Sequence, residues 1–300
     1  MILIISNNGD TTTTKVIREL SSMGKQLIRV HEDEVFEIKT EKKRIYLISD
    51  RNRFFLDEIT STWYRRGGIR FKRLSYNNES LHIHMDETQH WLEDYVIKTL
   101  ESKKSINKQS NNHVNKLLVL KKAQEAGLDV PHFFLAENTD EVKIGQTITK
   151  AITENVILDA IDQYSDAILY TSVVEERENK DFFITFFQEK VEKDFEIRSF
   201  YLEGTLWSTA IFSQNDEQTK TDFRKYNQKK PNRRIPYQLP ESIEEKTRQL
   251  MRSLDLNCGS IDFIKSGDYF YFLEVNPVGQ FLGLSTICNY SLEKEIAQYL

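Results

Sequence analysis

Apolar residues in the first hundred positions follow two patterns, short continuous runs and helical spacing. The run Ile2–Ser6 is apolar and predicts a buried strand, and Thr12–Met23 has the spacing of a helix that Gly24 would end. Further elements are predicted in this order: strands at Arg44–Ser49 and Ile59–Tyr64, then a helix from Glu87 to about Leu100. Strands that alternate with helices are typical of an α/β unit.

The second part of the chain follows a polar segment, ESKKSINKQSNNHVN, that predicts a linker or loop. NKLLVLKKAQEAGLDVPHFFLAEN then predicts a helix that ends at Gly127, followed by a strand, and positions 146–210 are rich in strand patterns. A helix at Ser242–Ser253 precedes GSIDFIKSGDYFYFLEVNP, where Gly267 and Asp268 predict a two-residue hairpin turn.

Polar side chains stand at the exit of the last apolar strand, YFYFLEVN. Glu274 and Asn276 are two residues apart, so they point to the same face of that strand. If one face of this strand were solvated, polar and apolar residues would alternate along its whole length, whereas the strand is apolar until its end. Two oxygen ligands on one face therefore indicate a binding site, and surface charges at the end of a hairpin are the alternative.

The hairpin turn predicts which residues of the two strands face each other. With Gly267–Asp268 as the turn, Lys265 lies opposite Phe270, and Asp262 lies opposite Leu273, beside Glu274. Two carboxylates and an amide oxygen are hard ligands that suit Mg²⁺, an ion that proteins often share with substrate phosphates. The hairpin therefore predicts a magnesium site.

Composition excludes several classes of protein. The chain is 39% hydrophobic and 29% charged with a formal net charge of −5, so it is an ordinary globular chain and nucleic acid is not an expected partner. The N-terminal apolar run is too short for a signal peptide or a membrane span. Cys258 and Cys288 form no disulfide framework. We expect a cytoplasmic protein without a membrane partner.

The order of Asp262, then Glu274, then Asn276 within LEVNP resembles the metal motif of the ATP-grasp ligases. These enzymes hold ATP between two α+β subdomains and activate a carboxylate as an acyl phosphate. The resemblance implies ATP and Mg²⁺ as cofactors and an α/β (α+β) ATP-grasp fold. It implies three units: an N-terminal pre-ATP-grasp domain at 1–112, a central subdomain at 113–187 and a C-terminal subdomain with the metal site at 188–300.

The remaining nucleotide contacts are implied by segments that follow the family's order. NKLLVLKKAQEAGLDVP makes Lys116 the first nucleotide lysine, and TITKAI makes Lys150 the second. FFQEKVEKDFEIRSFYLEG resembles the hinge, in which Glu189 and the Val191 backbone would face adenine and Glu196 the ribose. A lysine acts on a phosphate as a point charge.

Two arginines complete the implied site. Arg198, two residues beyond Glu196, would point toward the phosphates, and Arg224 in DFRKYN would reach the transferring phosphoryl group. The chain departs from the family pattern in AITENVILDAIDQYSDAILYTSVVEE, which lacks the glycine-rich loop that many ATP-grasp enzymes place over the phosphates. We therefore expect a shorter lid, or one that relies on side chains.

STWYRRGG, FSQ followed by DFR, and FLEVNPVGQF resemble the graspetide synthetases, which include microviridin-type macrocyclases and grasp-with-spasm maturases. Members phosphorylate an Asp or Glu side chain of a ribosomal precursor peptide, and a Ser or Thr hydroxyl or a Lys amine closes an ester or amide ring. The resemblance implies a precursor peptide, leader plus core, as partner. A homodimer is the expectation by analogy.

Two segments remain open between a functional and a structural interpretation. Arg65 and Arg66 close an apolar strand and either contact acidic core residues or phosphates or form structural salt bridges. The segment VVEERENKDFF either docks a basic leader or is a solvated turn, and its acidic residues are Glu175, Glu176, Glu178 and Asp181. Two other functions also stay open: a ligase that adds free amino acids to a peptide or protein, and a nucleotide-dependent binding protein without catalysis.

Other motifs point less clearly to chemistry. GDTTTTK lacks the glycines of a phosphate-binding loop, and helix capping by Asp10 or a threonine explains it better. LHIHMDETQH places His82 and His84 on one strand face with His90 further on, but no other residues complete a zinc site. Cys258 has no His or Asp arrangement that would make it a nucleophile, so it is interpreted as a buried small residue.

Overall fold

A computed structural model describes residues 1–111, 113–152, 157–162, 165–168, 171–177, 181–216, 218–219, 222, 225, 229 and 231–300, with the backbone alone for 157–162 and 165–168. None of the helices within these ranges combines the length and the apolar character that crossing a bilayer requires.

The N-terminal part of the chain contains two sheets. Its elements are β1 (Ile2–Ser6), α1 (Thr11–Ser22), β2 (Leu27–His31), β3 (Val35–Glu41), β4 (Arg44–Ile48), β5 (Arg53–Phe55), β6 (Ser61–Tyr64), β7 (Arg70–Phe71), α2 (Glu79–Glu101) and β8 (Lys104–Ile106), with 3₁₀ turns at Leu56–Glu58 and Gln109–Asn111. A parallel sheet has the order β2-β1-β6-β8, and a second sheet has the order β5-β4-β3-β7. Both faces of β1 are buried, because Ile4 packs toward α1 and Leu3 packs toward Phe36.

The central part of the chain forms a small antiparallel sheet. Its elements are α3 (Lys116–Glu125), β9 (Phe133–Ala136), β10 (Thr147–Thr149), β11 (Ile157–Asp162), β12 (Ser165–Ile168), β13 (Ser172–Val173) and β14 (Thr185–Glu189). The sheet order is β13-β10-β14-β9, and β11 and β12 form a separate two-stranded sheet.

The C-terminal part of the chain is built around a five-stranded antiparallel sheet of order β17-β16-β15-β18-β19. Its elements are β15 (Phe195–Leu202), β16 (Thr205–Phe212), β17 (Arg233–Tyr237), α4 (Glu241–Ser253), β18 (Cys258–Ser266), β19 (Tyr269–Asn276), α5 (Leu282–Cys288) and α6 (Leu292–Tyr299). Phe263 packs in one core cluster with residues of α3 and α4, and Phe200 packs in another with residues of α1, α5, α6 and the parallel sheet.

The structure confirms the predicted elements whose ends carry local signals. Helix α1 begins after Asp10, whose side chain accepts a hydrogen bond from the Thr13 N–H, and Gly24 has a φ of +69° just past its end. Asp10 is therefore a helix cap, as predicted for GDTTTTK in place of a phosphate-binding loop. Strands β18 and β19 are separated by the predicted two-residue turn, in which Gly267 has a φ of +53°.

The interpretation of LHIHMDETQH as a strand is wrong. Helix α2 begins at Glu79 rather than at Glu87, because the Asn78 side chain caps it by accepting a hydrogen bond from the Leu81 N–H. His82 and His84 therefore lie on a helix, where residues two apart point to different sides. In the described parts of the chain, no group of three or more His, Cys, Asp or Glu side chains is placed to hold a metal ion.

Candidate functional site

The register of the last hairpin differs from the prediction at one place. Lys265 lies opposite Phe270 as predicted, but the register shifts between Asp262 and Phe263, so that Asp262 pairs with Glu274. Leu273 is left as an extra residue in β19, which is a β-bulge. The prediction that Asp262 lies opposite Leu273 is therefore wrong.

The bulge decides which way the carboxylates point. Phe272 is fully buried, and the next core residue of β19 is Val275 rather than Glu274, so the buried face changes from even to odd positions at the bulge. Directly paired residues share a face, with Cβ atoms about 4.5–5.5 Å apart. Without the extra residue, Glu274 would pair with Ile261 on the core face. The bulge therefore brings Asp262 and Glu274 together.

Two cations adjoin this pair of carboxylates. Arg198 pairs with Asp262 across β15 and β18, with 3.7 Å between Arg198 Nε and Asp262 Oδ1. The Lys116 Nζ atom lies 3.2 Å from Glu274 Oε2. Arg198, Asp262 and Glu274 thus form one row across three strands, with Lys116 at its β19 end. Opposite charges along a row offset the repulsion between two close carboxylates.

The donor set of this row fits a magnesium ion. Asn276 lies two residues beyond Glu274, and its Oδ1 atom accepts a hydrogen bond of 3.0 Å from the Val278 N–H, which orients the amide. An amide oxygen has a second lone pair for another partner. Two carboxylates and one amide oxygen are few enough ligands for an ion that keeps several waters and binds substrate phosphates.

The turn after Asn276 is held by residues from the N-terminal part of the chain. Asn107 donates from Nδ2 to the Pro277 carbonyl at 2.8 Å. Arg65 donates to the carbonyls of Val278 and Gly279, and it forms a 3.0 Å ion pair with Asp10. The end of β19, which carries the predicted metal ligands Glu274 and Asn276, is therefore held by residues that lie outside the five-stranded sheet.

A pocket lies between the small central sheet and the five-stranded sheet, and we call it the central pocket. It holds about 840 Å³ of space when its opening to solvent is included. Six predicted site residues line it: Lys150, Glu189, Val191, Glu196, Asp262 and Glu274. Ile148, Ile197, Phe263, Ile264 and Leu273 supply apolar lining.

The two predicted nucleotide lysines are brought to the same region. Lys116, at the first position of α3, donates from Nζ to the Ala151 carbonyl at 3.3 Å. Lys150 precedes Ala151, lines the central pocket and lies with its Nζ atom 5.9 Å from the centre of the Phe186 ring. The pocket edge therefore has two cations close to the row that contains Glu274.

The carboxylate of Glu196 is held inside the central pocket. Burial raises the pKa of Glu196 above its usual value, although Lys193 and the Ser213 hydroxyl act in the opposite direction. Ser213 donates to Glu196 Oε2 at 2.6 Å, and Lys193 forms an ion pair with Oε1 at 2.5 Å. Each of the two carboxylate oxygens of Glu196 is therefore held by one of these two partners.

Sequence reasoning missed Gln188, which also lines the central pocket. Its side chain is fully buried, and neither its amide oxygen nor its nitrogen has a hydrogen-bond partner within the described structure. Gln188 pairs with Ile148 of β10, and strand alternation places it on the same face of β14 as Phe186. The alternation of side chains in FFQE could have identified Gln188, because it places Gln188, rather than Glu189, on the same face of the strand as Phe186.

A second, more open pocket adjoins the row on the other side, and we call it the arginine pocket. It is lined by Asn7, Gly9, Asp10, Thr11, Thr12, Arg65, Arg66, Arg198, Arg234, Gln280, Phe281, Leu282, Gly283 and Leu284. Arg198 lines this pocket while it pairs with Asp262 of the central pocket, so it stands between the two. Arg234 belongs to the basic run KYNQKKPNRRIP, which the sequence leaves open between a solvated segment and a flap that meets an acidic peptide, but Arg234 itself was not singled out.

Arg65 and Arg66 have different environments. The Arg65 side chain is 2% exposed and is engaged by Asp10 and by backbone carbonyls, whereas the Arg66 side chain is 35% exposed. Burial raises the pKa of Asp10, but Arg65, the Thr13 N–H and Arg66 outweigh burial, so the pKa lies below its usual value. Of the two arginines, Arg66 has the surface available for a ligand.

Two predicted residues lie outside the described residues, Arg224 and Glu178. Of the predicted leader-docking segment, Glu175, Glu176 and Asp181 are exposed, and the side chain of Phe183 is 89% exposed.

The chain is similar over nearly its whole length to a solved macrocyclase and to a solved ATP-grasp ligase. The macrocyclase MdnC from Microcystis aeruginosa MRC, solved with precursor peptide MdnA, has a TM-score of 0.75 and 25% identity, covering 100% of this chain and 99% of its own. A RiPP-associated ATP-grasp ligase from Chryseobacterium gregarium, solved with ADP and a leader and core peptide, has a TM-score of 0.75 and 25% identity, with coverage of 99% and 94%.

A solved structure with lower sequence identity is similar over the same length of the chain. The ATP-grasp ligase PsnB, solved with a phosphomimetic variant of its minimal precursor, Mg and ADP, has a TM-score of 0.65 at 12% identity, covering 99% of this chain and 96% of its own. No protein-family model and no curated protein sequence matches the chain. The predicted α/β ATP-grasp fold is confirmed, and so is the resemblance to the graspetide synthetase branch.

Proposed function

We propose that the protein is an ATP-dependent carboxylate ligase that closes ester or amide crosslinks within a ribosomal precursor peptide, with ATP and Mg²⁺ as cofactors. The observation that carries the proposal is the row Arg198–Asp262–Glu274, which joins the central pocket to the arginine pocket. A carboxylate acceptor and a phosphoryl donor would meet at Arg198.

In this proposal the central pocket binds ATP. Glu189 and the Val191 backbone face the adenine with Gln188 beside them, and Glu196 accepts from the ribose hydroxyls. Lys116 and Lys150 neutralise phosphate charge. Asp262, Glu274 and Asn276 would hold Mg²⁺, which when bound neutralises phosphate charge and aligns the phosphoryl group.

The arginine pocket receives the acidic side chain of the peptide core. Arg66 and Arg234 would orient its carboxylate, and Arg198 would stabilise the phosphoryl group, with Arg224 retained as a second candidate. Because Arg65 is buried against Asp10, we assign it the support of the turn after Asn276 rather than substrate contact.

The reaction takes place in two steps. A carboxylate oxygen of an Asp or Glu side chain attacks the γ-phosphorus of ATP, and ADP leaves, which yields an acyl phosphate. A Ser or Thr hydroxyl, or a Lys amine, then attacks the acyl carbon, loses its proton and expels phosphate. Arginines that hold the acyl phosphate in a fixed orientation lower the entropic cost of this second attack.

We further propose how the chain is organised around this reaction. It retains the predicted units 1–112, 113–187 and 188–300, with the precursor leader docking beside the exposed Phe183. Because the reaction consumes ATP and the precursor is ribosomally made, we place the protein in the cytoplasm, where its two buried free cysteines remain reduced.

The test is the intact mass of a Thr-, Asp- and Glu-rich peptide encoded beside this gene, after incubation with the protein and Mg-ATP. Loss of one water per ring, dependent on ATP, is the expected result. A gain of amino-acid mass in the presence of free amino acids would instead identify a tail-adding ligase. ATP binding without any change of peptide mass would favour a non-catalytic binding protein.

Glu274→Gln is the matched test of the metal assignment, because it keeps the side-chain shape and removes one anionic ligand. We expect crosslinking to fall at least about 100-fold, comparable to the loss of one preorganised electrostatic contact. Glu37→Gln is the control, since Glu37 also pairs with lysines but lies in the outer N-terminal sheet. Full activity of Glu274→Gln would refute the assignment.

A further inference from the structure

The turn that follows β19 is held at every backbone carbonyl, and we call its residues, 276–280, the exit turn. Each of the five carbonyl oxygens accepts a hydrogen bond: Asn276 from the Gly279 N–H at 3.0 Å, Pro277 from Asn107, Val278 and Gly279 from Arg65, and Gln280 from the Ser260 hydroxyl at 2.9 Å. A surface loop would leave most of these oxygens to water. The protein itself therefore fixes the path of the exit turn.

The exit turn connects the two sites of the proposed reaction. It begins at Asn276, a predicted metal ligand, and it ends at Gln280, which lines the arginine pocket. The Asn276 amide is oriented by the turn, since its Oδ1 atom accepts from the Val278 N–H at 3.0 Å. A change in the path of the turn would therefore move this predicted ligand.

The side chain of Asn107 joins the exit turn to the beginning of β18. Asn107 is 3% exposed, and its Nδ2 atom donates to the carbonyls of Pro277 at 2.8 Å and Cys258 at 3.0 Å. Its Oδ1 atom accepts from the N–H groups of Cys258 at 3.1 Å and Asn257 at 3.3 Å. A carboxamide has two donor hydrogens and two acceptor lone pairs, so this one is fully used. Asn107 therefore ties the strands of the last hairpin together at the end opposite to their two-residue turn.

The backbone of Asn107 is suited to present this side chain. Asn107 has a φ of +52°, a conformation that asparagine and aspartate adopt more readily than other residues with a side chain. Its N–H donates to the Asn257 Oδ1 atom at 2.7 Å. Asn107 directly follows β8, an edge strand of the N-terminal parallel sheet. The N-terminal part of the chain thus places a saturated amide at the base of the metal hairpin.

We propose that Asn107 is a positioning residue for the metal site, because it holds the exit turn where the Asn276 amide completes the ligand set with Asp262 and Glu274. This inference rests on the proposed function, since it takes these three residues as the ligands of Mg²⁺. Substitution of a residue that orients metal ligands typically weakens metal binding about 10-fold to 100-fold. The N-terminal part of the chain thereby contributes to the metal site without supplying a ligand.

Asn107→Asp is the test substitution. It keeps the size of the side chain and its tolerance of positive φ, but it replaces the donor nitrogen with an anionic oxygen that faces the carbonyls of Pro277 and Cys258. The measurement is the Kd of the intact, nucleotide-free protein for Mn²⁺, a paramagnetic substitute for Mg²⁺, by electron paramagnetic resonance. We expect this Kd to rise about 10-fold to 100-fold.

Asn257→Asp is the matched control for a purely structural effect. The Asn257 Nδ2 atom donates to the Ser105 carbonyl at 2.6 Å, and none of its hydrogen bonds within the described structure reaches the exit turn. Both substitutions place a carboxylate where an amide donated to a carbonyl, so both should unfold at lower urea concentration. Only Asn107→Asp should bind Mn²⁺ more weakly. An unchanged Kd in Asn107→Asp, or an equal rise in both variants, would overturn the proposal.

Two further variants keep the test decisive. Asn107→Gly also tolerates positive φ and introduces no charge, so it takes the place of Asn107→Asp if circular dichroism shows that the aspartate variant does not fold, with the same rise in Kd expected. Glu274→Gln separates this inference from the proposed function. If Glu274→Gln leaves Mn²⁺ binding unchanged, the metal assignment is wrong and the role of Asn107 falls with it. If Glu274→Gln weakens binding and the Asn107 variants do not, the metal assignment stands and the inference about Asn107 is wrong.

Discussion

Replacing Gln188 with methionine should change stability and nucleotide affinity in opposite directions. Gln188 is fully buried, and its amide has no hydrogen-bond partner within the described structure. A buried polar group without a partner costs about 1–3 kcal/mol. Methionine has nearly the same length and no polar amide, so it removes that cost without opening a cavity.

In the absence of nucleotide, Gln188→Met should therefore be about 1–3 kcal/mol more stable to urea than the wild type. In a domain of about 150–250 residues each kcal/mol corresponds to about 2–4 °C in Tm. ATP binding should weaken, because an amide can donate to and accept from the adenine edge and a thioether cannot. If the amide contributes about 1–3 kcal/mol, the Kd rises about 5-fold to 150-fold.

The assays are urea unfolding of the free protein and titration calorimetry with ATP. Gln249→Met is the matched control, since Gln249 is exposed on α4, and both quantities should stay at wild-type values. A less stable Gln188→Met variant would show that the amide has a partner in the free protein. Unchanged ATP affinity would show that Gln188 does not face the nucleotide.

Three further substitutions or treatments test the framework of the site. Asp10→Asn should lower the free energy of unfolding by about 3–5 kcal/mol at pH 7, because it leaves the buried Arg65 without its carboxylate partner. The pKa of Asp10 is lowered on folding, so the wild type loses the same stabilisation as the pH falls below about 4 and Asp10 becomes protonated. Urea unfolding at a series of pH values should therefore show the difference between the two proteins shrinking. Cys258 should resist alkylation at pH 8 until the protein unfolds, because burial raises its thiol pKa to about 12, and mass spectrometry of labelled peptides checks this. Gly279→Ala should destabilise the protein by about 1–3 kcal/mol in thermal unfolding, because Gly279 has a φ of +63° and an added Cβ would lie 3.1 Å from Cys258 Sγ.

The elements that the sequence predicted well are those with local determinants. The turn Gly267–Asp268 needs no information from elsewhere in the chain, because a glycine with positive φ between two apolar runs specifies a two-residue hairpin. Strand β1 was likewise predicted at its observed bounds, since five consecutive buried residues leave little choice of structure. The predicted metal ligands, Asp262, Glu274 and Asn276, lie on the same hairpin, and their role as ligands stays a prediction.

The bulge at Leu273 could not be predicted from the spacing of the strand residues. A regular ladder and a bulged ladder have the same residues and differ in whether Val275 or Glu274 packs on the core. Burying Val275 releases free energy, whereas burying an ionised Glu274 costs it, so tertiary packing selects the bulge. The sequence shows this preference only after the core face of the sheet is known.

The other two differences have different causes. The strand interpretation of His82 and His84 overlooked a local signal, because the Asn78 side chain caps helix α2 by accepting a hydrogen bond from the Leu81 N–H only three residues away. The environment of Arg65 depends instead on Asp10 and Gly279, which are distant in sequence, so the local pattern does not reveal it.

Arg198 lies where the two pockets adjoin. In the proposed reaction a phosphoryl group passes from ATP in the central pocket to a carboxylate in the arginine pocket, and we propose that Arg198 stabilises its charge at the boundary between them. Arg198 lines the arginine pocket, and its ion pair with Asp262 directs its Nε toward the predicted metal ligands. The contact of 3.7 Å is long for a direct hydrogen bond, so the guanidinium can turn toward an acyl phosphate without breaking a strong bond. A shorter, fully bonded pair would hold Arg198 on the nucleotide side and leave the acceptor carboxylate without this cation.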